Sequence, residues 1–308
     1  MLFRLVLSFG LLAISLAVGW ALHRRSWLTE SRAYRIVRWI AKGPSPVVLC
    51  LSFWHMNLRS LQPWLLPLAG ALIACSTLAP ARWIIRRLGL TRPQQGSVLT
   101  CALFSNLGYF GALTAFALFG EEGYALCMLY LTFFNPLYYT LGFGIAARCG
   151  HPREGHEGDT MKDELRLYPF LGMFAGVVLS LCSVPRPLVL ERLNYLLIPF
   201  DTALYLMAIG SQLTLASPRP WLRACWAMSV IKFLYSPAVA WALATLLRIH
   251  GLPRTIILLQ ASMPVAISPL MLPLLFGLDR RLSNALWLFT TLLAIPWLLL
   301  VLPLLQRL

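Results

Sequence analysis

Ser105-Asn106-Leu107-Gly108-Tyr109-Phe110-Gly111 lies in the middle of a long apolar run, Ser97–Gly120. Two glycines so close together weaken a helix and let another backbone approach. Leu118-Phe119-Gly120 follows, and then Asn135-Pro136. A related order returns late in the chain: Ala261-Ser262-Met263-Pro264-Val265-Ala266, then Leu275-Phe276-Gly277, then Pro296, at nearly equal offsets. There Pro264 and Pro269 each lack an N–H and leave a carbonyl without its helical partner. In hydrocarbon such freed groups are costly unless protein, water or a ligand satisfies them. Two apolar runs interrupted at matching places therefore predict two broken helices at equivalent positions of an internal repeat.

Outward from these two stretches the chain reads as ten apolar spans. They are Leu2–Leu22, Val37–Phe53, Leu61–Ala79, Ser97–Gly120, Tyr124–Ala147, Tyr168–Val184, Leu197–Leu215, Trp221–Leu247, Ile256–Leu278 and Leu286–Leu305. Each approaches the roughly 20 residues that a spanning helix takes. The expected fold class is thus all-α integral membrane, with ten transmembrane helices. Residues 1–148 form a first five-helix repeat, 149–167 a polar cytoplasmic linker, and 168–308 a second repeat. Five being odd, the second repeat is inverted across the membrane. Inverted repeats with interrupted helices are a recurring transporter design, with the substrate near the midplane.

Composition supports this class and removes others. Of 308 residues 59% are hydrophobic and 12% charged, with a mean hydropathy of +0.72. A soluble domain would expose apolar patches that drive aggregation, and a disordered chain needs low hydrophobicity. The net charge of +15 resides in 23 Arg and 3 Lys, almost all between apolar runs or at their edges. No segment could build the clustered basic face of a nucleic-acid binder. The odd-numbered connections carry 18 of the basic residues and the opposite side, termini included, carries 7, Lys232 lying inside a span. The positive-inside rule then places both termini outside the cytoplasm, in the inner (plasma) membrane of a bacterium. The first span is read as a retained helix, since its apolar stretch exceeds a usual signal core. The seven cysteines read as small buried apolar residues. His151 and His156 in the linker lack a recognised metal spacing, so no metal and no cofactor is expected.

Lys232 lies deep in the eighth span, where a lysine is expensive and functional. Two roles stand open for it: holding a substrate carboxylate, or pairing with Asp201 in the seventh span as an ion pair or coupling group. Asn106 and Asn135 can donate neutral hydrogen bonds, although Asn135 before Pro136 also suits a kink cap. Gln260, Ser262 and Ser268 are the polar side chains beside Pro264, and broken-helix N-termini add partial positive charge toward an anion. The expected substrate-binding set is Asn106, Gly108, Tyr109, Gly111, Asn135, Lys232, Gln260, Ser262, Pro264 and Ser268. Glu121 and Glu122 fall outside the apolar run and read as solvated loop charges.

The chain resembles the auxin efflux carrier family. The resemblance rests on Ser105 to Gly111, on Phe119-Gly120-Glu121-Glu122-Gly123, and on Leu259-Gln260-Ala261-Ser262-Met263-Pro264-Val265-Ala266. Gly172 through Gly210 and Lys232 to Pro237 also follow the family pattern. Where the family often carries a proline after the glycines of the fourth helix, this chain has Leu113, so Gly108 and Gly111 are expected to supply the break. The resemblance implies a secondary transporter of organic anions with a fold like the sodium–bile acid symporters. Helices four and nine would cross in an X. Helices one, two, six and seven would form a scaffold, and three to five with eight to ten a mobile core. It also implies small carboxylates as substrates and a homodimer through the scaffold. A proton or a sodium ion is the expected coupling ion.

Two rival readings remain at this level. An integral-membrane enzyme on lipid-linked substrates would need a convergent acid, base or nucleophile set. The spans hold no H-E-x-x-H, no G-x-S-x-G and almost no carboxylates. A non-transporting sensor or assembly factor would leave the repeat without a purpose.

Overall fold

The computed structural model describes residues 2–56, 58–151, 164–211 and 217–305. The expected linker, with His156, lies largely outside them. The described residues form helices and turns, with no strand among them. In chain order the α-helices are α1 (Leu2–Arg24), α2 (Glu30–Lys42), α3 (Pro44–His55), α4 (Leu66–Ser76), α5 (Leu78–Leu88), α6 (Arg92–Leu103), α7 (Ala112–Tyr130) and α8 (Phe134–Leu137). They continue as α9 (Phe143–Cys149), α10 (Glu164–Leu181), α11 (Leu188–Gly210), α12 (Leu222–Val230), α13 (Ser236–Leu246), α14 (Gly251–Ala261), α15 (Leu272–Phe276) and α16 (Arg280–Leu305). Seven helical stretches are long and apolar enough to cross a membrane, and Tyr168–Leu181 is a shorter apolar helix. The protein is a multi-pass integral membrane protein.

Several expected spans are interrupted for visible reasons. The second is split at Gly43, where Pro44 has no N–H to continue the ladder and the Gly43 N–H turns back to Trp39 O at 3.0 Å. The fourth is split into α6 and a wide turn, Leu107–Gly111, that leads into α7. The ninth is split into α14 and, after Ile267, a tight turn at Ser268–Met271 followed by α15. The halves of the ninth are too short to span alone, Leu107–Cys149 runs as one stretch across the fourth and fifth, and the second stays long enough as Ser31–His55 despite its break. Inside α7 the backbone at Gly120 turns to φ 65°, ψ −152°. No neighbouring atom would obstruct a side chain there, so the demand for glycine is conformational.

The described residues sort into two compact units that cut across the sequence halves. One lies within Met1–Leu61, Gly108–Met128 and Asp159–Leu213; the other lies within Gln62–Leu107, Leu129–Gly158 and Thr214–Leu308. The first therefore holds α1 to α3, α10, α11 and α7 as far as Met128. The second holds α4 to α6, α8, α9 and α12 to α16. The expected fourth and fifth spans are divided between the units; of the others, one, two, six and seven fall in the first and three, eight, nine and ten in the second.

In the first unit α10 meets α3 along Gly172-Met173-Phe174-Ala175-Gly176. A Cβ on Gly172 would fall 2.1 Å from Pro46 O, and one on Gly176 2.3 Å from Cys50 O. This is the small-xxx-small contact by which membrane helices pack, since lipid supplies no hydrophobic drive between them. The same unit corrects the reading of Glu121 as a solvated charge. Its side chain is 5% exposed and pairs with Arg186, also 5% exposed, at 2.5 Å. Glu122 alone is exposed. Cys101, Cys127 and Cys225 are buried as expected, whereas Cys182 is exposed.

Candidate functional site

The second unit contains the meeting of the two interrupted segments. α6 ends at Leu103, and Phe104 takes an extended conformation (φ −108°, ψ 127°). α14 ends at Ala261, and Pro264 falls within the unwound stretch that follows. Ser105 and Val265 form an isolated antiparallel bridge. The Asn106 N–H donates to Pro264 O at 2.8 Å, and the Ala266 N–H donates to Phe104 O at 3.1 Å. Each broken helix thus satisfies backbone groups of the other, as hydrocarbon surroundings require. The Val265 N–H donates to Thr290 Oγ1 at 3.2 Å.

Lys232 completes the junction. Its ammonium is fully buried and donates to Ala102 O at 2.6 Å, Phe104 O at 3.2 Å and Ser105 Oγ at 2.9 Å. Its three donors are therefore met by three oxygens at the C-terminal end of α6. A cation there also offsets the partial negative charge of the helix end. Thr77 Oγ1 donates to the same Ala102 O at 2.9 Å. Asp201 belongs to the first unit, where it accepts from Ser45 Oγ at 2.8 Å.

Gln260, on α14, is fully buried. Its Nε2 donates to Leu107 O at 3.2 Å, and its Oε1 is unpartnered. It borders a cavity of about 30 Å³ whose other polar lining residues are Thr77, Ser105, Tyr130 and Ser236. That volume takes roughly two water molecules and is too small for a dicarboxylate. Asn135 lies between two residues of the cavity wall, Phe134 and Leu137, and is half-buried. Ser262 Oγ is turned back to Leu258 O at 2.9 Å. Ser268 contributes its carbonyl, which accepts from the Tyr138 hydroxyl at 2.9 Å.

The structure therefore gathers Asn106, Lys232, Gln260, Ser262 and Pro264 around the bridge, with Asn135 beside the cavity. Gly108, Tyr109 and Gly111 fall in the first unit, where Tyr109 stacks on Tyr205 at 4.7 Å. The helix break precedes Gly108 and Gly111 instead of coinciding with them, and the two glycines occupy the wide turn that follows. Sequence reasoning missed Thr77 and Thr290 as groups that hold the junction. Their signal was faint: a lone threonine in an apolar span usually bonds its own helix. It also missed Ser105, the side-chain partner of Lys232, although the residue stood inside the quoted stretch.

Carboxylates are scarce in this unit. Among its described residues Asp279 is the one acid, and it is engaged at the start of α16, where Oδ1 accepts from the Leu282 N–H at 3.0 Å. Among all described residues no three His, Cys, Asp or Glu cluster as a metal site. A lysine, two unwound segments and amide side chains make a polar junction with no negative charge of its own.

An interrupted, mutually bonded pair of helices in a multi-pass protein is the architecture of a transporter. The chain belongs to the membrane transport protein family, an auxin efflux carrier-like family, which it matches over residues 9–302. It is 30% identical over 207 residues to an uncharacterized transporter of Methanocaldococcus jannaschii, the match covering 64% of each chain. It is 23% identical over 279 residues to an uncharacterized transporter of Methanothermobacter thermautotrophicus, across 90% of this chain and 91% of the relative. The chain thus spans just under two thirds of the length of the first relative and most of the second.

Proposed function

We propose that the protein is a secondary transporter of small organic anions, carboxylates above all, working by alternating access. In this reading ten spans form two inverted five-helix repeats, helices four and nine cross at the substrate seat, and the unit holding that seat moves against the other. The observation that carries it is the Lys232-supported bridge between Phe104–Asn106 and Pro264–Ala266. Lys232 offsets the negative end of α6. With Asp279 engaged elsewhere, the local field favours an anion. The small volume beside Gln260 means that the walls part before a carboxylic acid enters, which is what alternating access demands. Family membership favours transport over enzymatic turnover of lipid-linked substrates or a purely sensory role.

Everted membrane vesicles containing the protein are expected to accumulate labelled malate, malonate or an aromatic carboxylate above control vesicles. Collapsing the proton or the sodium gradient separately identifies the coupling ion. No accumulation across a broad anion panel, with protein verified as folded, sinks the proposal.

The charge asymmetry further supports an inner-membrane location with both termini outside the cytoplasm. A reporter that matures only in the periplasm, fused after Leu308, is expected to be active. Activity of a cytoplasm-only reporter at the same position reverses the orientation.

A further inference from the structure

We propose that α2 is a binding surface for the head groups of anionic glycerophospholipids. α2 is strongly two-faced, as is α5 with its exposed Arg82, Arg86 and Arg87. Ala33 and Ile40 are fully buried, whereas Arg32, Arg35, Arg38 and Lys42 are all exposed. Their spacings of three, three and four residues line the cations along one face. Tyr34 and Trp39, 44% and 56% exposed, stand at the margins of that stripe. The end of α1 and the turn before α2 add exposed Arg24, Arg25 and Trp27. Between Arg24 and Lys42 the sequence has six cations and one acid, Glu30.

The helix also leans. Asp201 on α11 bonds Ser45 at the head of α3, and Ala208 on α11 shares a buried cluster with Ala33 on α2. Between these contacts α11 advances seven residues, about 10 Å of rise, while the α2–α3 chain covers twelve, about 18 Å. The break at Gly43 accommodates the difference by inclining α2. An inclined amphipathic helix with basic residues and flanking aromatics is the form that lies at a membrane interface.

Neighbouring charges make the case for a ligand. Arg32 donates to Trp27 O at 2.6 Å, and Lys42 lies over the Tyr168 ring at 5.3 Å. Arg35 and Arg38, one turn apart, have no partner among the described residues. Like charges at this spacing repel, and guanidinium groups match phosphate oxygens bidentately. The stripe is open and linear, which suits a row of phosphates in a leaflet, and its aromatic margins suit the head-group level.

The test titrates full-length protein in detergent with phosphatidylglycerol and reads the rise in its unfolding midpoint. Phosphatidylcholine and soluble glycerol phosphate serve as parallel arms. R35Q/R38Q is expected to weaken the apparent affinity for phosphatidylglycerol about 30-fold, and R35Q alone about 5-fold. R35K/R38K, which keeps the charge but loses the planar fork, is expected to bind more weakly than the wild type and more tightly than R35Q/R38Q, whereas the charge-matched R280Q/R281Q is expected to bind as the wild type does. The proposal is overturned if the glutamine variants titrate like the wild type. It is equally overturned if phosphatidylcholine stabilises as well as phosphatidylglycerol, or if soluble glycerol phosphate does so at equal phosphate concentration. Should R35Q/R38Q fail to fold, R35Q alone decides.

Discussion

Lys232→Met is expected to abolish anion accumulation and to destabilise the protein by on the order of 3 kcal/mol. The ammonium meets three oxygens, and methionine fills a similar volume without a donor. Ala102 O keeps Thr77 and Phe104 O keeps the Ala266 N–H, so the junction weakens but retains its bridge. Lys232→Gln separates hydrogen bonding from charge. Glutamine restores a donor to the α6 end, so stability is expected to return most of the way. The positive charge that favours an anion is still missing, and transport is expected to remain down about tenfold or more. Thermal unfolding in detergent and vesicle uptake read the two effects independently. Wild-type uptake by Lys232→Met removes this residue from the transport machinery.

Arg186→Met is expected to cost about 3–5 kcal/mol, because it leaves the Glu121 carboxylate buried and uncompensated. Arg186 Nη1 donates to Glu121 and, at 2.8 Å, to Leu51 O, and Nη2 stands 3.8 Å from Glu191. The guanidinium thereby ties the residue after the Gly120 turn to α3 and to the first turn of α11. Glu121→Gln alone is expected to cost less, since Arg186 keeps the Leu51 carbonyl and the half-exposed Glu191. The double variant Glu121→Gln/Arg186→Met is expected to recover much of the loss, as removal of both buried charges usually does. A double-mutant cycle on unfolding midpoints measures the coupling. Additive single effects would show that the two charges are energetically independent.

These two residues show where reading along the chain stops. Glu121 stands next to Glu122 and a glycine, a local pattern typical of a solvated turn, and only the fold brings Arg186 to it across 65 residues. Lys232 stood out in the sequence because a lysine inside an apolar span is costly wherever it lies. Its acceptors were not recognisable, being 127 to 130 residues away. The helix breaks were legible to within about one turn. Proline at position 264 interrupts any helix locally. Glycines 108 and 111 permit a break without placing it, and the break settles upstream, where Phe104 and Asn106 find Pro264 and Ala266 to bond.

The amino-acid order by itself determined the membrane class, the approximate spans, the distribution of positive charge and the two interrupted runs. Hydropathy, missing N–H groups and charge act within a few residues and need no partner. The tertiary structure alone decided the bridge of Ser105 to Val265, the capping of α6 by Lys232, the burial of Glu121 and the allocation of helices to two units. Those depend on which distant groups packing brings within a hydrogen bond, and a lipid-exposed helix carries no local mark of its neighbour, because lipid and leucine are equally apolar.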